Sequence, residues 1–557
     1  MSNQKTDRAW WYGCVIYEIY IRSFYDSNGD GVGDIQGITK KLDYLASLPI
    51  DAIWITPFFK SPMKDFGYDI SDYYAVDPLF GEIEDFEEMI EKAHALNLKV
   101  IIDQVWSHTS DTYSWFIESQ SDRDNPKADW YVWSDAKADG SPPNNWLSVF
   151  GGTAWEWNES RQQYYLHNFL KCQPDLNWHN LNVVREIMQV AEFWLEKGVD
   201  GFRLDVCNYY MHDPSKLDNP SRTEGMPIQD GVSPLNPYAN FINLHNINQV
   251  QNIKSLRRIR KVLNKYPGTI SLGEIAAAED PMRQTVEYIR GDKRLHTAYN
   301  SSLLVNEKLT PELVASAQEE LSLHLEDDEE EMICLTMSTH DFPRARSRWQ
   351  PQNPETIPAF EKWLVTLLAC LRGIICFYQG EELGLTESEI PQEEMQDPLG
   401  SNFPSYFAGR DGCRTPIPWE TEKANWGFTD AVTPWIRVDE NFNSLAVDVQ
   451  EENPDSLLHY FRKLLRWRNR QPAMKYGDFD PIEVGRDVLS FIRKVRDQRL
   501  LCVFNFAEET QAYLVSCRYG KPVMSSGVTS FEVTNLGNGD RTIEMEAFGF
   551  AIFEREF

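Results

Sequence analysis

Short apolar runs rich in β-branched residues alternate with amphipathic helical segments along this chain, and the alternation repeats about eight times. The runs are VIYEIYIRSF (15–24), AIWITPFF (52–59), VIIDQV (100–105), GFRLDV (201–206), ISLGEI (270–275), CLTMST (334–339) and IICFYQG (374–380), with an eighth near LHTAYNSSLL (295–304). Between them DIQGITKKLDYLASL, EDFEEMIEKAHALN, NVVREIMQVAEFWLEKG and VQNIKSLRRIRKVLNKY carry helical periodicity. A strand that always gives way to a helix implies parallel pairing through crossovers. Eight such units predict a closed (β/α)8 TIM barrel rather than an open sheet.

Two stretches break the rhythm. A Trp-, Asn-, Asp- and Pro-rich insert follows the third strand, over 107–178, and an irregular rim insert follows the eighth, at about 386–435. Inserts at the C-terminal rim of a barrel lie over its active site. Beyond about 475, VLSFIRKV, RLLCVFNFA, QAYLVSC and FGFAIFERE are short alternating strands without helices between them, which predicts an antiparallel β-sandwich domain. The expected organisation is a barrel over 1–106 and 179–474, an inserted subdomain over 107–178 and a C-terminal β domain over 475–557.

The net charge of 54 − 85 = −31 argues against nucleic acid and anionic membranes as partners and fits a neutral small molecule. The most apolar stretch, WLVTLLACLRGIICFY, is interrupted by Arg372 and Gly373 and does not read as a membrane span. The start MSNQKTDRAWWYG has no apolar signal core. Nine scattered cysteines without a CxxC pair imply reduced thiols and a cytoplasmic location.

Several runs end in a charged residue where barrel enzymes place their chemistry. GFRLDV ends with Arg203 and Asp205, LGEI with Glu274 and STHD with His340 and Asp341, while His108 lies beyond DQVWS. Arg203 and Asp205 are two apart on a strand and share a face. Convergent carboxylates without a metal or cofactor motif suit glycoside cleavage, in which one acid is protonated and one is ionised. Burial and like charge would push the two pKa values apart.

The segments DQVWSH, GFRLDV, LGEI and STHD, in this order, resemble those of glycoside hydrolase family 13, the α-amylase family, and QPDLN (173–177) is similar to a fifth. The resemblance covers nearly the whole chain. It extends to WWYGCVIYEIYIRSFYDSNGDGVGD, GYDISDYY, NNWLSVFGG, YYLHNFL, YQGEELGL and GRDGCRTPIPW, which point to the exo-acting α-glucosidase and oligo-1,6-glucosidase branch. It implies that Asp205 is the nucleophile, Glu274 the general acid/base and Asp341 the carboxylate that holds the distorted sugar. It further implies that Arg203 keeps Asp205 ionised and that Asp69, His108, His340 and Arg410 grip the terminal glucose. Tyr68 would stack under that glucose, and Phe150 and Phe169 would line the same pocket. A neutral oligosaccharide substrate and a monomer or homodimer are expected.

Val206 follows the nucleophile, and in this branch valine there goes with α-1,6 cleavage and threonine with α-1,4. A methyl for a hydroxyl biases such a choice by about 1–3 kcal/mol. Much of the surrounding sequence resembles a bacterial subgroup that usually carries threonine, so an α-1,4-specific enzyme stays open, as does a transglucosylating or isomerising relative. STHD places Thr339 where most relatives have Asn.

DSNGDGVGD (26–34) spaces oxygen-bearing side chains at alternate positions, as calcium loops do. A calcium sensor would need a bidentate Glu at the twelfth position, which here is Gly37. The resemblance instead implies one structural Ca2+ (or Mg2+) held by Asp26, Asn28, Asp30 and Asp34 side chains and the Val32 carbonyl.

Overall fold

The computed structural model describes residues 8–229, 231–304, 308–324, 331–402, 409–533 and 539–555. Eight parallel strands, β1 (Val15–Ile19), β2 (Ala52–Ile55), β3 (Lys99–Gln104), β4 (Gly201–Leu204), β5 (Ile270–Glu274), β6 (Thr297–Tyr299), β7 (Cys334–Leu335) and β8 (Ile374–Tyr378), pair in the order β6-β5-β4-β3-β2-β1-β8-β7. At the seam between β6 and β7, Thr297 Oγ1 donates to the Met332 carbonyl at 2.7 Å. The strands are followed in turn by α1 (Ile35–Ser47), α2 (Ile83–Ala95), α3 (Leu181–Glu196), α4 (Asn252–Leu263), α5 (Pro281–Ile289), α6 (Pro311–His324), α7 (Ile357–Cys370) and α8 (Leu457–Arg468). This is the expected (β/α)8 barrel.

The strands are shorter than the apolar runs that signal them. VIYEIYIRSF leaves the sheet after Ile19 and turns through a 3-10 segment at Ile21–Ser23. The sheet is covered by helices outside and packed within, so apolarity alone marks no strand end. The leftover residues of each run become the rim. Helices start for local reasons: Asp34 accepts the Gly37 N–H at 2.6 Å to cap α1, and Asn180 accepts the Asn182 N–H at 2.9 Å to cap α3.

Between β3 and α3 the chain forms a helix (Ser114–Ser121) and a three-stranded antiparallel sheet of Trp133–Ser134, Gln163–Leu166 and Trp155–Asn158. Its base is stitched shut where the Thr109 N–H meets the Pro174 carbonyl at 3.2 Å and the Leu176 N–H meets the Ser107 carbonyl at 2.9 Å. A further excursion between β4 and α4, which lacks periodicity and was not expected as a separate feature, leans on that insert. Trp146 Nε1 donates to the Leu217 carbonyl and Asn236 Nδ2 to the Val149 carbonyl, each at 2.9 Å. Among the described residues no helix is long and apolar enough to cross a membrane.

The C-terminal strands β9 (Asp478–Val484), β10 (Val488–Val495), β11 (Gln498–Asn505), β12 (Gln511–Val515), β13 (Met524–Val533) and β14 (Arg541–Glu554) form one antiparallel network in which long β14 pairs with β11, β12 and β13. One face packs on α7, where Trp363 meets Phe506 at 4.7 Å and Phe360 meets Phe548 at 5.0 Å between ring centres. The other buries Val488, Leu501 and Val503 with Tyr513, Val515, Ile543 and Met545.

Arg493 on β10 is fully buried and donates only to carbonyls: Cys370 and Leu371 at 2.6 Å, Gly477 at 2.9 Å, Met474 at 3.1 Å and Asp478 at 3.2 Å. It thereby satisfies acceptors that the C-terminus of α7 leaves unpaired. Each stranded acceptor costs about 1–3 kcal/mol. Arg493→Met is therefore expected to lower the urea midpoint of unfolding by an amount equivalent to several kcal/mol. An unchanged midpoint would show that this latch between barrel and β domain contributes nothing.

Candidate active site

Strand register sets the centre of the site. Asp103 on β3 lies opposite Arg203 on β4, whose other neighbour is Leu272 on β5, two residues before Glu274. The Arg203 guanidinium has no exposure and sits 5.0 Å above the Trp54 ring. Nη1 donates to Asp103 Oδ1 and Oδ2 at 2.8 and 2.9 Å and to Asp205 Oδ1 at 2.7 Å. Nη2 donates to Glu274 Oε2 at 2.5 Å and to the Tyr299 hydroxyl at 2.7 Å. Glu274 can come this close because Gly273 has no side chain, whose Cβ would stand 2.5 Å from Leu295 and 2.9 Å from Cys207 Sγ.

Three carboxyls in this cluster face outward. Asp205, Glu274 and Asp341 have side chains 9%, 12% and 24% exposed, whereas Asp103 and Glu18 are fully buried. The three partly open ones are those that strand ends had singled out. Asp341 Oδ1 accepts from Arg410 Nη1 at 2.9 Å and Arg414 Nη2 at 2.8 Å, and its N–H donates to Thr339 Oγ1 at 3.2 Å. The residue that replaces the usual Asn thus caps the turn that carries the acid. Burial alone would raise the Asp341 pKa, but His340, Arg410 and Arg414 outweigh it and hold the carboxyl far below the usual range.

Asp205 goes the other way. Burial pushes its carboxyl well up, and Glu274 and Asp103 add to the effect against the pull of Arg203. The expectation that Arg203 keeps Asp205 ionised meets a competition: one guanidinium is shared among three carboxyls, and burial with the repulsion of Glu274 and Asp103 works against its pull on Asp205.

The pocket walls bring most of the remaining expected residues together. Tyr68 lies parallel to His340 (5.5 Å, 8°), so only its other ring face is free to meet a sugar. His108 Nε2 approaches the Tyr68 carbonyl at 3.1 Å and Gln173 at 3.2 Å, and burial pushes its pKa down to about 4. Phe150 lies 5.3 Å under the Arg410 guanidinium and 5.8 Å from Phe169, which in turn is 5.2 Å from His108. These contacts make a continuous wall from Arg410 to His108. Val206 is 7% exposed, adopts left-handed φ 33°, and its N–H donates to Glu274 Oε2 at 3.0 Å. Its side chain packs with Tyr209, Tyr238, Ile247 and Ala277. Such a φ is strained for a β-branched residue.

Asp69 departs from expectation. It is fully buried, and its oxygens accept from the Ser61 hydroxyl at 2.9 Å and from the N–H groups of Asp65 and Lys64 at 3.0 Å. The loop acid that reaches Arg410 is Asp65, 3.1 Å from Nη2, the nitrogen that also donates to Asp397 at 2.8 Å. Asp65, Asp397, Arg414 and Tyr299 were not singled out from sequence. Asp103 and Glu18 carried a usable signal, since an acid inside an otherwise apolar strand must find a partner.

The DSNGDGVGD loop is held by its own acids. Asp26 accepts the N–H groups of Asn28, Gly29 and Gly31 at 3.0, 2.8 and 2.8 Å and the Thr429 hydroxyl; Asn28 accepts the Asp30 N–H at 2.9 Å and Asp30 the Val32 N–H at 2.8 Å. Asp34 accepts from Ser27 at 2.8 Å besides capping α1. The rim insert clamps the loop, with the Trp435 N–H on the Gly31 carbonyl at 2.9 Å. Hard oxygens at alternate positions fit Ca2+ or Mg2+ in donor chemistry. Among the described residues, however, no group of three or more His, Cys, Asp or Glu is gathered as for an ion.

Residues 18–477 match the alpha-amylase catalytic-domain family. The chain is 44% identical over 549 residues to a probable alpha-glucosidase of Rhizobium meliloti (strain 1021), covering 99% of this chain and 97% of that one. It is 37% identical over 535 residues to an oligo-1,6-glucosidase of Parageobacillus thermoglucosidasius, covering 91% and 92%. The crystal structure of an alpha-glucosyl transfer enzyme superposes with a TM-score of 0.92 at 45% identity, covering 99% of this chain and 100% of that one.

Proposed function

The chain belongs to the alpha-amylase family of glycoside hydrolases, and on that footing we propose that it is a retaining, exo-acting α-glucosidase that removes glucose from the non-reducing end of short α-1,6-linked glucosides. The observation that carries this reading is the selective opening of Asp205 and Glu274 on the buried Arg203 and of Asp341 on Arg410 and Arg414.

Asp205 attacks the anomeric carbon while the bond to the leaving oxygen breaks and Glu274 gives that oxygen its proton. Glu274 Oε2 is occupied by Arg203 and the Val206 N–H, so the acid proton belongs on Oε1. Positive charge growing at the anomeric carbon favours the ionised form of Asp205. Asp341, held ionised by two arginines, stabilises the same charge. Water then attacks the glucosyl–Asp205 ester from the vacated face, returns a proton to Glu274 and gives retention.

Val206 in its apolar cluster supports the α-1,6 preference, together with the relatives named oligo-1,6-glucosidase. Glucosyl transfer to an acceptor sugar is the second reading, favoured by the alpha-glucosyl transfer enzyme whose fold this chain shares. Nine free thiols, eight of them buried, support a reducing, cytoplasmic setting. In the DSNGDGVGD loop a structural Ca2+, or Mg2+, would be held by Asp26, Asn28, Asp30, Asp34 and the Val32 carbonyl, adding charge balance to the first rim loop.

Asp205→Asn is expected to stay folded and to lower turnover of p-nitrophenyl α-glucoside by about four orders of magnitude; near wild-type turnover would remove Asp205 as nucleophile. The ratio of kcat/KM on isomaltose to that on maltose should exceed one and fall about tenfold in Val206→Thr. A wild-type preference for maltose would refute the linkage assignment. Chelation with EDTA should lower Tm without altering the mechanism, because an ion that binds only the folded state stabilises it; an identical Tm with and without EDTA would mean an ion-free turn.

A further inference from the structure

Glu18 on β1 is fully buried and takes no part in the scheme above. Its Oε1 is in hydrogen-bond contact with His340 Nδ1 and accepts the His340 backbone N–H at 3.4 Å, and its Oε2 has no partner. The His340 ring is stacked between Tyr20 (5.7 Å, 15°) and Tyr68 (5.5 Å, 8°). That sandwich fixes the plane of the ring but not which nitrogen points where, because a half-turn about χ2 keeps the plane. Glu18 is the group that distinguishes the two faces of the flip.

Resting on the α-glucosidase reading, we propose that Glu18 is a positioning residue whose carboxylic proton, donated to His340 Nδ1, holds His340 as the tautomer that presents Nε2–H to Asp341 and Tyr68 at the sugar pocket. The proton count follows from the contacts. His340 Nε2 lies 3.2 Å from Asp341 Oδ2 and 2.7 Å from the Tyr68 hydroxyl. Asp341 is ionised by Arg410 and Arg414, and a bare nitrogen facing that carboxylate would be repelled, so Nε2 carries hydrogen. Tyr68 has a single hydroxyl hydrogen, which goes to Asp103 Oδ2 at 3.1 Å and leaves its oxygen to accept from Nε2.

A second hydrogen on Nδ1 would make a buried imidazolium; burial opposes it, Asp341 favours it, and Arg414, Arg203 and Arg410 tip the balance against it. Nδ1 is therefore an acceptor, and the Oε1 in contact with it must be the donor. A neutral acid also explains the bare Oε2, since an unpartnered carbonyl oxygen costs far less than an unpartnered carboxylate oxygen. Burial pushes the Glu18 carboxyl well up; Arg203 and the His340 N–H oppose it, and Asp341 and Asp103 reinforce it.

Two measurements test this. Neutron diffraction from the wild-type protein should place deuterium on Glu18 Oε1 and His340 Nε2; deuterium on Nδ1 overturns the assignment, whatever the protein hydrolyses. Kinetics on p-nitrophenyl α-glucoside should show kcat lowered about 10- to 100-fold in Glu18→Leu, with KM changed little, as for a reacting group misplaced by about 1 Å. Glu18→Gln, whose amide N–H donates to Nδ1 as the acid does, should restore most of that loss. A folded Glu18→Leu with wild-type kcat, or a Glu18→Gln no better than Glu18→Leu, refutes the proposal. Wild-type protein inert toward the glucoside would instead refute the α-glucosidase reading, and the neutron result would still decide where the proton lies.

Discussion

A guanidinium without access to water organises the mouth of this barrel. Arg203 reaches Asp103, Asp205, Glu274 and Tyr299, and so ties together strands β3, β4, β5 and β6 where they open onto the pocket. Taking one cation and three carboxyls out of water is costly, and only their mutual contacts offset it. Burial and the mutual repulsion of these carboxyls push Asp205 well up from the usual carboxylate range, against the pull of Arg203. The same deficit of positive charge that lifts Asp205 makes the site responsive to a cationic transition state.

A second hub stands opposite. Arg410 and Arg414 come from the rim insert and converge on Asp341, in the loop that follows β7. The insert also holds the DSNGDGVGD loop through Trp435, Phe428 and Thr429. One irregular segment therefore seats the Asp341 carboxylate and braces the first rim loop. The contrast between the hubs is a contrast of charge balance. Asp341 draws on two arginines, one of them shared with Asp65 and Asp397, and is held far below the usual range; Asp205 shares one arginine with two rivals, and burial pushes its carboxyl up.

Much of this was legible because it is local. The barrel follows from eight strand–helix repeats, and Asp205, Glu274 and Asp341 follow from acids at strand ends. The left-handed backbone at Val206 carried no local signal, since valine is among the residues least suited to it. Asp69 shows the limit of motif reasoning. GYDISDYY marks an important turn, but which acid of the loop faces Arg410 depends on how the turn closes, and that acid is Asp65.

The sequence by itself determined the parallel barrel, its appended β domain, the order of the acids along the rim and the family to which they belong, because periodicity and strand-end chemistry are properties of short segments. Only the tertiary structure decided how those acids share charge. Residues 18, 103, 203 and 340 meet through strand register and ring packing across more than three hundred positions of chain, and no local pattern records a contact of that range. Protonation follows from such contacts, so the roles of Asp205, Asp341 and Glu18 became readable only when their neighbours did.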